Sequence, residues 1–209
     1  MSGVEIASYL MGGAYVVGFL ALSTRLARKT GRPIWLFGKG AESQALPALL
    51  FKLAFAGAII WPLVLATLGN PFRPDPLAIR LSGTWFDVVG HMLVVIGFCV
   101  AIIAQRHMGN SWRIGAAEGE VGVIVDSGPF AISRNPVFLG QAVLFLGLFL
   151  VLPSLLQAVL TIALLLGIAL QVRIEERVLL QSLGEPYRVY CARVRRWLGT
   201  YSPRSESGR

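Results

Sequence analysis

Long apolar blocks separated by short, basic polar stretches run the length of this chain. The first block spans residues 6–22 and the second 46–68, with Lys52 near its start and long enough to snorkel. A third covers 85–104. After a polar stretch, one apolar run extends over 137–172, too long for a single crossing of a ~30 Å hydrocarbon core. Pro153-Ser154 sits near its middle, where proline favours a tight break, so two helices over 136–152 and 155–172 are predicted to form a hairpin. The pattern predicts an all-α integral membrane protein with five transmembrane helices. It divides into three N-terminal spans (1–105), a core of loop, hairpin and C-terminal helix (106–200), and a disordered tail (201–209). The proline-rich Asn70–Pro76 stretch reads as a short outside connection.

Composition supports this. Of the 209 residues, 55% are apolar and only 14% charged, where a soluble domain carries about a quarter charged. Sixteen of nineteen basic residues fall after the first, third or fifth span: Arg25, Arg28, Lys29, Arg32 and Lys39, then Arg106, Arg113 and Arg134, then eight arginines from Arg173 to Arg209. Only Arg73 and Arg80 lie on the other side. The positive-inside rule then puts the N-terminus outside and the C-terminus in the cytoplasm. A formal charge of +8 clustered beside apolar blocks is the mark of membrane lipid contact, not of nucleic-acid binding. Glu5 in place of a basic n-region argues against a cleaved signal. Cys99 and Cys191 suggest neither a disulfide framework nor a metal site.

Two polar clusters bracket the hairpin, and charge at a bilayer mouth is costly unless it is used. On a continuing last helix, Arg173, Glu176, Arg177 and position 180 share one face, so Arg173 and Glu176 project together while Glu175 points elsewhere. That face is either a helix end with ion pairs or a site in which Arg173 grips a carboxylate and Glu176 accepts from hydroxyls or an amine. Before the hairpin, Gly128-Pro129-Phe130 makes a turn, and Arg134-Asn135-Pro136 leads into a helix N-terminus able to dock a carboxylate. Capping is the simplest single role for Asn135. After it, Gly184-Glu185-Pro186-Tyr187 breaks the helix and starts a short interfacial one. Tyr187, Tyr190 and Trp197, with Arg193, Arg195 and Arg196, read as an aromatic and basic anchor or as part of the site. Asp87 and His91, one turn apart, read as a hydrogen-bonded pair lining a helix interface, and His107 as isolated in a loop.

Taken in order, Gly128-Pro129-Phe130, Arg134-Asn135-Pro136-Val137-Phe138-Leu139-Gly140, Glu175-Glu176 and Gly184-Glu185-Pro186-Tyr187-Arg188-Val189-Tyr190 resemble the isoprenylcysteine carboxyl methyltransferases and their phospholipid methyltransferase relatives. Gly109-Asn110-Ser111-Trp112-Arg113 is similar to a segment upstream in bacterial members. The likeness runs from about Met108 to Arg196. It implies S-adenosylmethionine bound on the cytoplasmic side and a lipophilic methyl acceptor arriving from the bilayer. It makes Gly128, Pro129, Phe130, Arg134, Asn135, Pro136, Phe138, Gly140, Glu176, Tyr187 and Tyr190 cofactor-pocket candidates, and Arg173 and Glu176 catalytic ones, with Arg173 orienting an acceptor carboxylate. Asn135 stands where that family has histidine and Phe138 where it has tyrosine. Asn135 cannot carry a proton, which a carboxylate acceptor tolerates because it is already a nucleophile. A prenylated cysteine carboxylate, a phospholipid amine and a small thiol all stay open as acceptors, and the sequence is silent on oligomeric state. Competing readings are a small transporter or channel subunit, and a sterol-reductase-like enzyme with a nicotinamide cofactor.

Overall fold

The structure, a computed structural model, describes residues 2–31, 34, 36–37, 44–69, 74–115 and 123–201. Arg32, Lys39 and Arg73 of the loop-charge argument, most of the 70–76 connection and the tail beyond Tyr201 lie outside the described residues. Seven α-helices make up the described chain: α1 Gly3–Thr30, α2 Ala45–Leu68, α3 Pro76–Leu81, α4 Thr84–Met108, α5 Pro136–Val151, α6 Leu155–Leu183 and α7 Glu185–Arg193. The all-α expectation holds. Four of them (α1, α2, α4 and α6) are long and apolar enough to cross a membrane. With 16 residues, α5 is about 24 Å long and falls short of a full ~30 Å core.

The bundle is apolar outside and partly polar inside, which identifies it as an integral membrane protein. Leu10, Val17, Leu53, Ile60, Met92, Ile103, Val159 and Leu166 are exposed along the long helices, while Ser8, Ser23, Gln105, Gln141, Gln157, Thr161 and Gln171 are buried. Several of these polar groups join helices. The Gln105 amide donates to the Phe19 carbonyl (3.1 Å) and to Ser23 Oγ (2.9 Å), linking α4 to α1, and the Gln141 amide donates to Tyr15 Oη (2.7 Å), linking α5 to α1.

The most extensive interface joins α4 and α5, ahead of the α2–α6 and α1–α4 interfaces. Its cause is a pair of glycines on each helix, seven residues apart. A Cβ on Gly97 would lie 2.4 Å from the Leu144 amide nitrogen, and one on Gly147 would lie 2.6 Å from the Gly90 carbonyl. Without side chains at these points the two backbones touch, which is how membrane helices gain packing where lipid offers no hydrophobic incentive.

At one end of the bundle, the break expected at Pro153-Ser154 is present. Ser154 caps α6 by accepting from the Gln157 amide, and Trp61 Nε1 donates to the same Oγ (2.9 Å). Asp75 accepts from the Leu77 and Ala78 amides with one oxygen and from the Leu155 amide with the other, so one buried carboxylate starts both α3 and α6. The sequence pattern predicts no element over residues 77–84, where most of α3 lies, because six residues hold too little periodicity to register. His91 bonds Ser8 Oγ on α1 (2.8 Å) and not Asp87, correcting the pairing expected within α4. At the opposite end, α6 continues eleven residues past the end of its apolar span at Val172, as the shared face of Arg173 and Glu176 required, before Gly184 turns it at φ +59.

Replacing Gly97 by leucine should therefore separate α4 from α5. Thermal denaturation in detergent should show a loss of about 3 kcal/mol or failure to fold, whereas Gly13→Leu, with open space around its Cβ position, should melt close to the parent.

Candidate functional site

Beyond the apolar bundle, three chain segments converge on the end of α6. The first is the loop leading into α5. Gly128, at φ +57, begins a 3-10 turn through Ala131, and its missing Cβ leaves room for the His107 ring, which a Cβ would approach to 2.6 Å. His107 is not isolated: it ends α4, bonds Ser127 Oγ (3.0 Å) and stacks on Phe130. The second segment is α7, whose buried Tyr190 donates to the Phe130 carbonyl (2.8 Å) and so ties α7 to that turn. The third follows α7, where residues 194–201 fold back as a strap. Gly199 N–H donates to the Ile132 carbonyl (2.7 Å), Arg134 N–H to the Arg195 carbonyl (3.0 Å), and Arg195 N–H to the Gly199 carbonyl (2.9 Å).

Glu176 is where they meet. Its side chain is 12% exposed, and five donor nitrogens address its two oxygens. Oε1 accepts from Arg134 Nε (3.1 Å) and Asn135 Nδ2 (3.3 Å), with Arg134 Nη2 in ion-pair contact at 3.0 Å. Oε2 accepts from Arg196 Nε (3.0 Å) and Nη2 (2.6 Å). Arg134 is locked further by donating to the Cys191 (3.3 Å) and Val194 (3.4 Å) carbonyls. Asn135 also donates to the Arg196 carbonyl (3.1 Å). Asn135 thus begins α5 without a side-chain cap, correcting the role expected for it; Ser133 Oγ accepts the Asn135 amide instead.

Glu175 faces away from this cluster. Gln171, one turn earlier on α6, donates to Glu175 Oε1 (3.0 Å) and to Gln44 Oε1 (2.9 Å). Arg113 lies close enough for Glu175 to offset the burial that pulls the Arg113 guanidinium below its ordinary value. Successive carboxylates at the end of α6 therefore serve two separate polar clusters, as a 100° step around a helix requires.

The electrostatics favour fixed charge over proton exchange. Hydrogen bonding to Glu176 holds the Arg196 guanidinium above its usual value, outweighing its partial desolvation. Burial, and then the nearby Glu176 charge, push the Tyr187 hydroxyl well above the ordinary phenol range. Burial does the same to Tyr190, against the opposing pull of Arg134. Both phenols remain protonated donors at neutral pH.

Of the residues singled out in sequence, Arg134, Asn135 and Glu176 are in mutual contact, and Phe130 and Tyr190 brace them. Tyr187 is buried within 6.0 Å of the Tyr190 ring. Gly128 and Pro129 shape the turn, and Pro136 starts α5. Phe138 stacks on Phe51 of α2, and Gly140 lies against Ala101 and Gly97 of α4, so both sit in the bundle packing. Arg173 is exposed and makes no contact with the Glu176 cluster. Arg196, which sequence grouped with the basic anchor, is the residue whose place was missed; an arginine in a run of arginines carries no local sign of its partner.

The description "phospholipid methyltransferase" is that of a family model matching residues 85–185, from the start of α4 to the first residue of α7. Over that segment, just under half of the chain, the sequence is similar to this family. No curated protein matches the chain. The matched segment contains the Gly128 turn, the Arg134-Asn135-Pro136 entry, the whole hairpin and both carboxylates. It ends before Tyr187, Tyr190 and the strap, which the fold brings back onto Glu176.

Removing the Tyr190 hydroxyl (Tyr190→Phe) should cost about 1–2 kcal/mol by leaving the Phe130 carbonyl without its buried donor. Arg134→Ala should cost about 2–3 kcal/mol, since it uncovers both Glu176 and two strap carbonyls. Thermal melts of the detergent-purified variants check both values and their order.

Proposed function

We propose that this protein is an S-adenosylmethionine-dependent methyltransferase that modifies a lipophilic acceptor reaching the hairpin mouth from the bilayer. The observation that carries this reading is the Glu176 cluster. A carboxylate, two guanidiniums and an amide converge where α6 leaves the apolar bundle, and all of them but Arg196 lie in the segment similar to a methyltransferase family.

The donor set fits the cofactor's amino-acid and ribose groups. Glu176 is the acceptor for an ammonium or for ribose hydroxyls, Arg134 and Asn135 supply donors, and Tyr187 and Phe130 supply buried aromatic walls. When bound, S-adenosylmethionine supplies a methyl group on a positively charged sulfur as the electrophile. The protein's part is to bind, orient and exclude water.

Glu176 is the one basic side chain of this cluster, and its oxygens are taken up by hydrogen bonds from Arg134, Asn135 and Arg196. Asn135 does not titrate, and the two tyrosines stay protonated. This supports an acceptor that is nucleophilic without help, such as a carboxylate, over one that must first lose a proton. Arg173, exposed three residues before Glu176, is the candidate to hold that carboxylate. The reading includes five crossings with the C-terminus cytoplasmic, supported by the basic loop bias and by the apolar surface of α5, whose short length suits an untilted crossing.

Calorimetric titration with S-adenosylhomocysteine tests the cofactor assignment. One-site binding to the wild type, weakened about ten-fold or more in Glu176→Gln, is expected from the loss of a charge-assisted contact. Absence of saturable binding in both detergent and nanodiscs overturns the assignment. On a carboxylate acceptor, Arg173→Ala should abolish turnover while sparing cofactor binding; unchanged turnover removes Arg173 from the mechanism.

A further inference from the structure

The two arginines on Glu176 are not equivalent. Arg134 has an 11% exposed side chain, three hydrogen bonds to three partners and a further ion-pair contact, so nothing can displace it without unpicking the loop. The Arg196 side chain is 44% exposed, and both of its bonds go to Glu176 Oε2. The strap's own hold on the protein runs through backbone: Gly199 to Ile132, Arg134 to Arg195, and the Asn135 side chain to the Arg196 carbonyl. The Arg196 side chain can therefore swing away while the strap stays in place.

With four hydrogen bonds on its two oxygens, two to each, Glu176 has no lone pair left to spare for another cation. A ligand that uses this carboxylate must take over a position already filled, and Oε2 is the oxygen whose partner is exposed. We propose that Arg196 is a resident counter-ion, standing in at Glu176 Oε2 for the ammonium group of the bound amino-acid-bearing ligand, which exchanges with it on binding. The inference rests on the cofactor reading above and specifies how that site is kept charge-balanced. An ionised Glu176 left beside Arg134 alone would be half paired at the edge of a low-dielectric bundle. Arg196 satisfies it between binding events, and it lowers the net affinity for the ammonium by having to be displaced.

The consequence is opposite to that of an ordinary binding residue. Removing Arg196 should tighten ammonium-bearing ligands, because the competitor is gone. An exposed ion pair of this kind is weak, so the gain is about two- to five-fold in Kd. Titration of the full-length protein with S-adenosylhomocysteine is compared for the wild type, Arg196→Ala and Arg196→Gln, with melting curves to establish that each variant is folded. 5′-Methylthioadenosine, which lacks the amino-acid group, is the control ligand. Tighter S-adenosylhomocysteine binding in both variants, with 5′-methylthioadenosine unchanged, supports the exchange. Equal or weaker S-adenosylhomocysteine binding in a folded variant, while the wild type binds, overturns it and leaves the cofactor assignment standing. Failure of all three proteins to bind S-adenosylhomocysteine overturns the cofactor assignment itself, and the exchange with it.

Discussion

Glu176 carries a charge at the point where α6 passes out of an apolar bundle, and everything around it is arranged to make that charge tolerable. A carboxylate with 12% exposure is costly unless its lone pairs are filled. Arg134 and Asn135 arrive from the entry to α5, and Arg196 from the strap. Each supplier is then held by backbone bonds of its own. The α5 entry loop, α7 and the strap are also joined by backbone hydrogen bonds, by Tyr190 on the Phe130 carbonyl and by the small apolar cluster of Tyr187, Tyr190 and Val194. Removing the Glu176 charge would leave two guanidiniums facing each other at this junction.

The apolar bundle supplies what such a junction needs, a fixed distance between the start of α5 and the end of α6. The glycine contacts of α4 with α5 set the height of α5, and α6 packs mainly on α2. The hairpin partners are thus positioned chiefly by other helices and less by each other. At the far end of the bundle, Asp75 and Ser154 fix the start of α6 at the α5–α6 turn. Polar groups inside the bundle are glutamines and hydroxyls, which join helices without introducing charge.

Much of this was legible in the chain because membrane helices announce themselves by length and composition. The apolar blocks fell within the observed helices, and Pro153 and Gly184 broke the chain where glycine and proline geometry says they must. The pairing of the two polar clusters across the hairpin was also readable, since a hairpin brings its ends together. Other features depended on tertiary contact and left no local trace. Asn135 looks like a cap in sequence, yet two outside partners, Glu176 and the Arg196 carbonyl, outcompete the helix amides for its side chain. His91 has an acidic neighbour one turn away and still pairs with a serine on another helix.

The central claim is that the methyl donor binds at the Glu176 junction. Hydrogen–deuterium exchange of the nanodisc-embedded protein, with and without S-adenosylhomocysteine, locates the ligand without assuming any residue's role. The account predicts ligand-dependent changes in amide exchange confined to residues 127–135, the end of α6 and the α7–strap segment. Protection concentrated at the opposite end, around the cavity lined by Asp75, Ser82 and Asp87, would contradict it.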